Sequence, residues 1–102
     1  MIVHRITVQY QVDKVEEAIA LLKEEVTRAQ FPHAVRLYRP RFGVTDMTIG
    51  EYEFANFDEM AQFWADWQKQ PEMQAFWQKY CLLIQPGMVH EILDPFLEID
   101  RQ

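Results

Sequence analysis

Apolar and polar side chains alternate along the first dozen residues, with Ile2, Ile6, Val8, Tyr10 and Val12 on one phase and Val3, Arg5, Thr7, Gln9 and Gln11 on the other. A period of two is that of a strand with one apolar face, and His4 falls on that face. From Asp13 the period lengthens. Val15, Ala18, Ile19, Leu22, Val26 and Ala29 recur at three- and four-residue steps. They predict a helix capped by Asp13, with Glu16 three residues on and Lys14, Glu17, Lys23, Glu24 and Glu25 on a solvated face. Phe31-Pro32 stops it, because the residue before a proline is pushed away from helical angles. Residues 34–42 read as a second strand, Gly43-Val44-Thr45-Asp46 as a turn and residues 47–54 as a third strand. That hairpin brings Arg39 close to Glu51 or Glu53 as a cross-strand charge pair.

Residues 56–80 carry the heaviest apolar load, holding all three tryptophans and seven of the fourteen aromatic residues. Asn56 and Glu59 have capping-box spacing, and Met60, Phe63, Trp64 and Trp67 follow on one helical face. Pro71 lacks an amide hydrogen, so it opens a second helix or kinks the first, with Met73, Phe76, Trp77, Tyr80 and Ile84 continuing the stripe. Such bulk either packs as core against a sheet or walls a cavity for a flat organic molecule. Gln85-Pro86-Gly87 is a turn and residues 88–93 are a fourth strand. The order is β-α-β-β-α-β. In this ferredoxin-like α+β arrangement an antiparallel four-stranded sheet has strands one and three in the middle, helices on one face and the other face bare. Residues 95–102 form a C-terminal tail whose apolar part, Phe96-Leu97-Glu98-Ile99, is expected to dock on a second subunit.

The length of 102 residues sets one domain as the expectation, and 49% hydrophobic with 25% charged residues is a globular composition. Fourteen aromatics exceed what a core of this size needs, which points part of the apolar surface toward a partner subunit. A net charge of −6 disfavours nucleic acid and anionic membrane surfaces as partners. Arg28, Arg36, Arg39 and Arg41 form the one basic cluster, suited either to an anionic ligand or to cross-strand pairing. A lone Cys81 and an N-terminus without a signal-peptide pattern give a cytoplasmic expectation. Cys81 reads as a small core residue. Serine is absent and glycine numbers three, so covalent acyl transfer and nucleotide phosphate binding lack their parts. His4, His33 and His90 show no metal-binding spacing. No metal or cofactor is expected.

The strand Gly50-Glu51-Tyr52-Glu53-Phe54 leading into Asn56-Phe57-Asp58-Glu59, the FWADW stretch, the Pro71-Glu72 restart and residues 87–91 together resemble the dimeric α+β barrel superfamily. Within it the chain is similar to the antibiotic-biosynthesis-monooxygenase and NIPSNAP-like branches. The resemblance implies two sheets pairing face to face in a homodimer, with a small-molecule pocket between each sheet and its helices. It spans chemistries from cofactor-independent monooxygenases, polyketide cyclases and isomerases to members without known activity. The haem-degrading branch is disfavoured: where it places an iron-binding histidine, ten residues after Trp67, this chain has Trp77, and its strand-one asparagine is missing among Arg5, Thr7 and Gln9.

Oxygenation without metal or flavin is possible when the substrate becomes an electron-rich anion, so that the protein has only to remove a proton and stabilise the charge. His4 or His90 is the candidate base. Arg36 or Arg39, or the hydroxyls of Tyr38 and Tyr52, are candidates to hold the substrate oxygen, and Trp64, Trp67 and Trp77 to wall the site. A cyclase or isomerase needs the same parts. The alternative is a non-catalytic NIPSNAP-like dimer with a binding or structural role. Strands one and four should be antiparallel neighbours, which can bring His4 and His90 within one side chain's reach.

Overall fold

A computed structural model describes residues 1–100. The chain runs β1 (Ile2–Gln9), α1 (Val15–Ala29), β2 (Val35–Tyr38), β3 (Met47–Phe54), α2 (Phe57–Gln68), α3 (Pro71–Tyr80) and β4 (Val89–Leu93). The strands form one sheet in the order β2-β3-β1-β4, and every neighbouring pair is antiparallel. The expected ferredoxin-like α+β topology is therefore the one found, with β1 and β3 central. Register divides the side chains. Ile2, His4, Ile6 and Val8 share the helix-covered face with Thr48, Gly50, Tyr52 and Phe54, while Val3, Arg5, Thr7, Ile49, Glu51 and Glu53 lie on the open one.

Several boundaries depart from the sequence pattern. Strand one ends at Gln9, Tyr10 makes a single bridge to Ile84, and Val12 is exposed. Ile84 thus leaves the helical stripe assigned to it. Asp13 does not cap α1: its own backbone is left-handed, at φ 67°, and the cap position belongs to Lys14 without a side-chain bond. Asp is among the few residues that adopt this conformation readily, and here it serves the turn instead. The stop at Phe31-Pro32 holds, with Gln30 left-handed at φ 55° as the C-cap. β2 is only four residues long, so Arg39 falls outside it and pairs with Glu16 at 2.6 Å. Glu51 and Glu53 take Arg5 and Arg36 instead, each at 2.9 Å. The cross-strand charge pairs expected of Arg39 are made by Arg5 and Arg36.

The Asn56 cap forms, its side chain accepting from the amide of Glu59, while the Glu59 carboxylate accepts from the amide of Ala55, one residue short of the full capping box. Pro71 opens a second helix. Lys69 closes α2, Gln70 is extended with ψ 134°, and Pro71 begins α3. The break divides the core. One cluster gathers Val8, Tyr10, Val15, Ala18, Phe76, Tyr80 and Leu83 around α1 and α3. Another gathers Ile2, Tyr52 and Phe54 with Met60, Phe63 and Trp64 beneath α2. Beyond β4, Phe96 is wholly exposed and Leu97 and Ile99 largely so. The last two residues of the expected tail lie outside the described residues.

Gly50 sets the depth of the sheet surface in the middle of this layer. A Cβ added there would stand 2.8 Å from the Tyr52 ring and 2.9 Å from its hydroxyl, because the ring lies back along the strand. Gly50→Ala is expected to lower stability by about 1–3 kcal/mol through this overlap. In a Tyr52→Ala background the same change should cost much less, which a thermal-melt double-mutant cycle will measure. Equal costs in both backgrounds would contradict the close approach.

Candidate functional site

Between the two clusters, the helix-covered face of the sheet and the three helices border a cavity of about 520 Å³ that is open to solvent on one side. Its floor comes from alternate positions of the central strands: His4, Ile6 and Val8 of β1, and Thr48, Gly50 and Tyr52 of β3. Trp64 and Trp67 wall it from α2, Met73, Phe76, Trp77 and Tyr80 from α3, and Leu22 and Val26 from α1. The lining is overwhelmingly apolar. Trp77 stands at its rim, 38% exposed, whereas Phe76 and Tyr80 on the same helix are buried. Edge-to-face packing makes the wall continuous, with Trp64 5.5 Å from Tyr52 and 5.3 Å from Trp67 between ring centroids.

Two polar chains interrupt this surface. In the first, the Trp64 indole N–H donates to His4 Nδ1 at 3.0 Å, and His4 Nε2 lies 3.0 Å from His90 Nδ1. The register places Ile6 opposite His90, so both histidines are on the helix-covered face, as the antiparallel neighbourhood of β1 and β4 allowed. An indole can only donate, so His4 Nδ1 is its acceptor and His4 carries its proton on Nε2. In the second, Tyr10 Oη is 2.6 Å from both Thr48 Oγ1 and Tyr80 Oη. Burial raises the pKa of Tyr80 and Tyr52, so both hydroxyls stay protonated.

A third polar element braces the wall from behind. Glu25 is buried, contrary to its expected place on a solvated face. Its carboxylate accepts two bonds from Arg28 at 2.7 Å and one from the Trp67 indole at 2.6 Å, while Arg28 also donates to Gln70 at the α2–α3 joint. Burial works to raise the Glu25 pKa, but the bonds from Arg28 and Trp67 outweigh it and the net shift is downward. The spacing held the signal: Glu25 follows Ala18 by seven residues and Leu22 by three, which is the buried stripe.

The structure brings together His4, His90, Trp64, Trp67, Trp77 and Tyr52 around one cavity. It does not bring Arg36, Tyr38 or Arg39 there. The β2–β3 register sets Arg36 opposite Glu51 and Tyr38 opposite Ile49, both on the open face, and Arg39 is held by Glu16 beyond the strand. Among the described residues no group of three or more His, Cys, Asp or Glu side chains is placed to hold a metal ion, and no helix is long and apolar enough to cross a membrane.

No protein-family model matches the chain, and no curated protein matches it. Solved structures do. A NIPSNAP family protein from Agrobacterium tumefaciens is 23% identical with a TM-score of 0.82, over 92% of this chain and 91% of its own. An uncharacterized NIPSNAP domain protein from Burkholderia xenovorans is 18% identical with a TM-score of 0.78, over 97% and 100%. An antibiotic biosynthesis monooxygenase is 8% identical with a TM-score of 0.75, over 95% and 100%. The likeness is one of fold: this chain has the ferredoxin-like α+β architecture found in NIPSNAP and antibiotic biosynthesis monooxygenase structures, the branches its sequence resembles.

Burial, with the neighbouring His90 acting in the same direction, lowers the His4 pKa from 6.5 to about 4. The unfolded chain then binds this proton more readily than the folded one, so the contribution is full above the ordinary histidine value and lost as pH falls from 6.5 toward 4. The loss is expected to reach about 3 kcal/mol. Urea unfolding over this range should show it, and His4→Leu should reduce the slope while lowering stability at neutral pH. An unchanged slope in the variant would contradict the assignment.

Proposed function

We propose that this protein binds a small, flat, largely apolar molecule bearing oxygen, in the cavity between helices and sheet, and does so as a homodimer. One observation carries the reading: a chamber of about 520 Å³, walled by all three tryptophans, has a directed polar chain ending at His90 on its lining. Ligand pockets of this kind span roughly 300–1,000 Å³ and combine apolar walls with a few placed polar groups.

A cofactor-independent monooxygenase, cyclase or isomerase needs a base for the substrate proton and a partner for the resulting anion. His4, with its pKa near 4 and both ring nitrogens engaged, is a weak base at neutral pH. Arg36 and Arg39 are committed to Glu53 and Glu16 away from the cavity. These observations favour binding without turnover over oxygenation. Titrating the protein with a panel of naphthols and aromatic ketones is expected to change tryptophan fluorescence saturably, with no oxygen consumed and no new product by mass spectrometry. Oxidised product that disappears in His90→Ala would establish the monooxygenase reading instead. A folded protein that responds to no member of the panel would remove the binding reading.

The second copy of the chain is the occupant we assign to the open sheet face. That face carries Ile49, Val89, Leu93 and Tyr38 around the Arg5–Glu51 and Arg36–Glu53 pairs, and it continues into the exposed Phe96, Leu97 and Ile99. Burying it against an identical surface is the self-complementary solution of a two-fold dimer. Light scattering at micromolar concentration should report a dimer, weakened by truncation after Asp94. A monodisperse monomer would contradict the assembly, and a truncated dimer of unchanged affinity would contradict the role of the tail.

A further inference from the structure

From the direction of the Trp64–His4–His90 chain we infer that the cavity selects carbonyl compounds, ketones or quinones, over the matched alcohols and phenols; this rests on the cavity being a binding site. The direction follows from donor chemistry alone. Indole Nε1–H donates and cannot accept, so the lone pair at His4 Nδ1 is used at 3.0 Å and the His4 proton sits on Nε2. That proton points along the 3.0 Å contact to His90 Nδ1, which must then be the acceptor. His90 is left with its proton on Nε2, the one ring nitrogen of the pair without a partner among the described residues. Every link runs one way. The end of the chain is an N–H donor on His90, a solvent-exposed residue that borders the cavity.

A ligand oxygen that meets this donor accepts a hydrogen bond. A carbonyl oxygen does so and has no hydrogen of its own to place. An alcohol or phenol oxygen can also accept, but its O–H cannot turn to the protonated ring nitrogen and has to be placed on a second group, a lining hydroxyl such as that of Tyr52 or water at the exposed His90. The Glu25 carboxylate, which also borders the cavity, is occupied by Arg28 and Trp67. Tyr52 borders the same cavity at 5% exposure, and burial keeps its hydroxyl protonated, so a ligand carbonyl can accept from it as well.

Calorimetry with 1-tetralone, 1-tetralol and tetralin, which share a skeleton and differ at one oxygen, tests the preference on the intact protein. The ketone is expected to bind about five- to tenfold more tightly than the alcohol, the range one net hydrogen bond confers. In His90→Phe the two should become nearly equal, with tetralin reporting any change in the cavity itself. The chain itself is read independently by nitrogen NMR of histidine-labelled protein without ligand: both His4 and His90 should show protonated Nε2 and bare Nδ1, and Trp64→Phe should release the His4 preference. Alcohol binding equal to or tighter than ketone, a ratio unmoved by His90→Phe, or an Nδ1–H form at either ring would overturn the inference with the cavity still a binding site. Failure of all three compounds to bind would overturn the binding reading and this inference with it.

Discussion

Pro71 cannot donate the backbone hydrogen bond that would carry α2 straight on into α3, and Gln70 before it is held extended. One long amphipathic helix lying across the sheet would present a single stripe and seal against it. Two shorter helices present two. α2 packs its aromatics on the Tyr52–Phe54 end of β3, α3 packs Phe76 and Tyr80 against α1 and the far end of β1, and the volume between them is left unfilled. The cavity is thus a consequence of a chain break, and the fold depends on the joint being held in place.

Holding the joint is the work of Glu25. A carboxylate taken out of water is costly unless it is fully paired, and here three donors converge on it. The bonds from Arg28 connect α1 to Gln70 at the break, and the bond from Trp67 connects α1 to the last turn of α2. The same indole is therefore a cavity wall on its face and a structural tie at its edge. Trp64 repeats the pattern on the other side, its rings packed on Tyr52 and Phe31 and its N–H directed at His4.

Fold likeness to NIPSNAP and monooxygenase structures leaves the chemistry open, since one architecture serves many reactions. The local groups narrow it. A histidine whose two nitrogens are both engaged, and whose charged form is opposed by burial, orients and donates better than it abstracts protons. The arginines that a charged intermediate would call for are neutralised on the opposite face or at the edge. Apart from the Glu25 carboxylate, which Arg28 and Trp67 hold, what faces the cavity is apolar and aromatic surface with a few directed polar groups.

Periodicity along the chain was enough to place all four strands, the first helix and the aromatic segment, because burial of one face imposes a period of two or of 3.6 on any sequence that folds this way. It also put His4 and His90 on compatible phases and the tryptophans on one stripe. It left open whether Pro71 kinks or restarts the helix, and it assigned Glu25 outward because charge outweighed spacing. Arg36, Tyr38 and Arg39 were candidates by residue type; Arg36 and Tyr38 lie within β2 but on the open face, and Arg39 lies beyond the strand. Which face a short edge strand presents depends on register, and register is a property of paired strands. The distance from Trp64 to His4, the direction of protons along the histidine chain and the volume left between two core clusters likewise exist only once residues 60 to 86 positions apart are packed together. Local pattern determined the elements; the tertiary structure decided which polar atoms meet, because hydrogen bonds across the core are set by packing and not by sequence spacing.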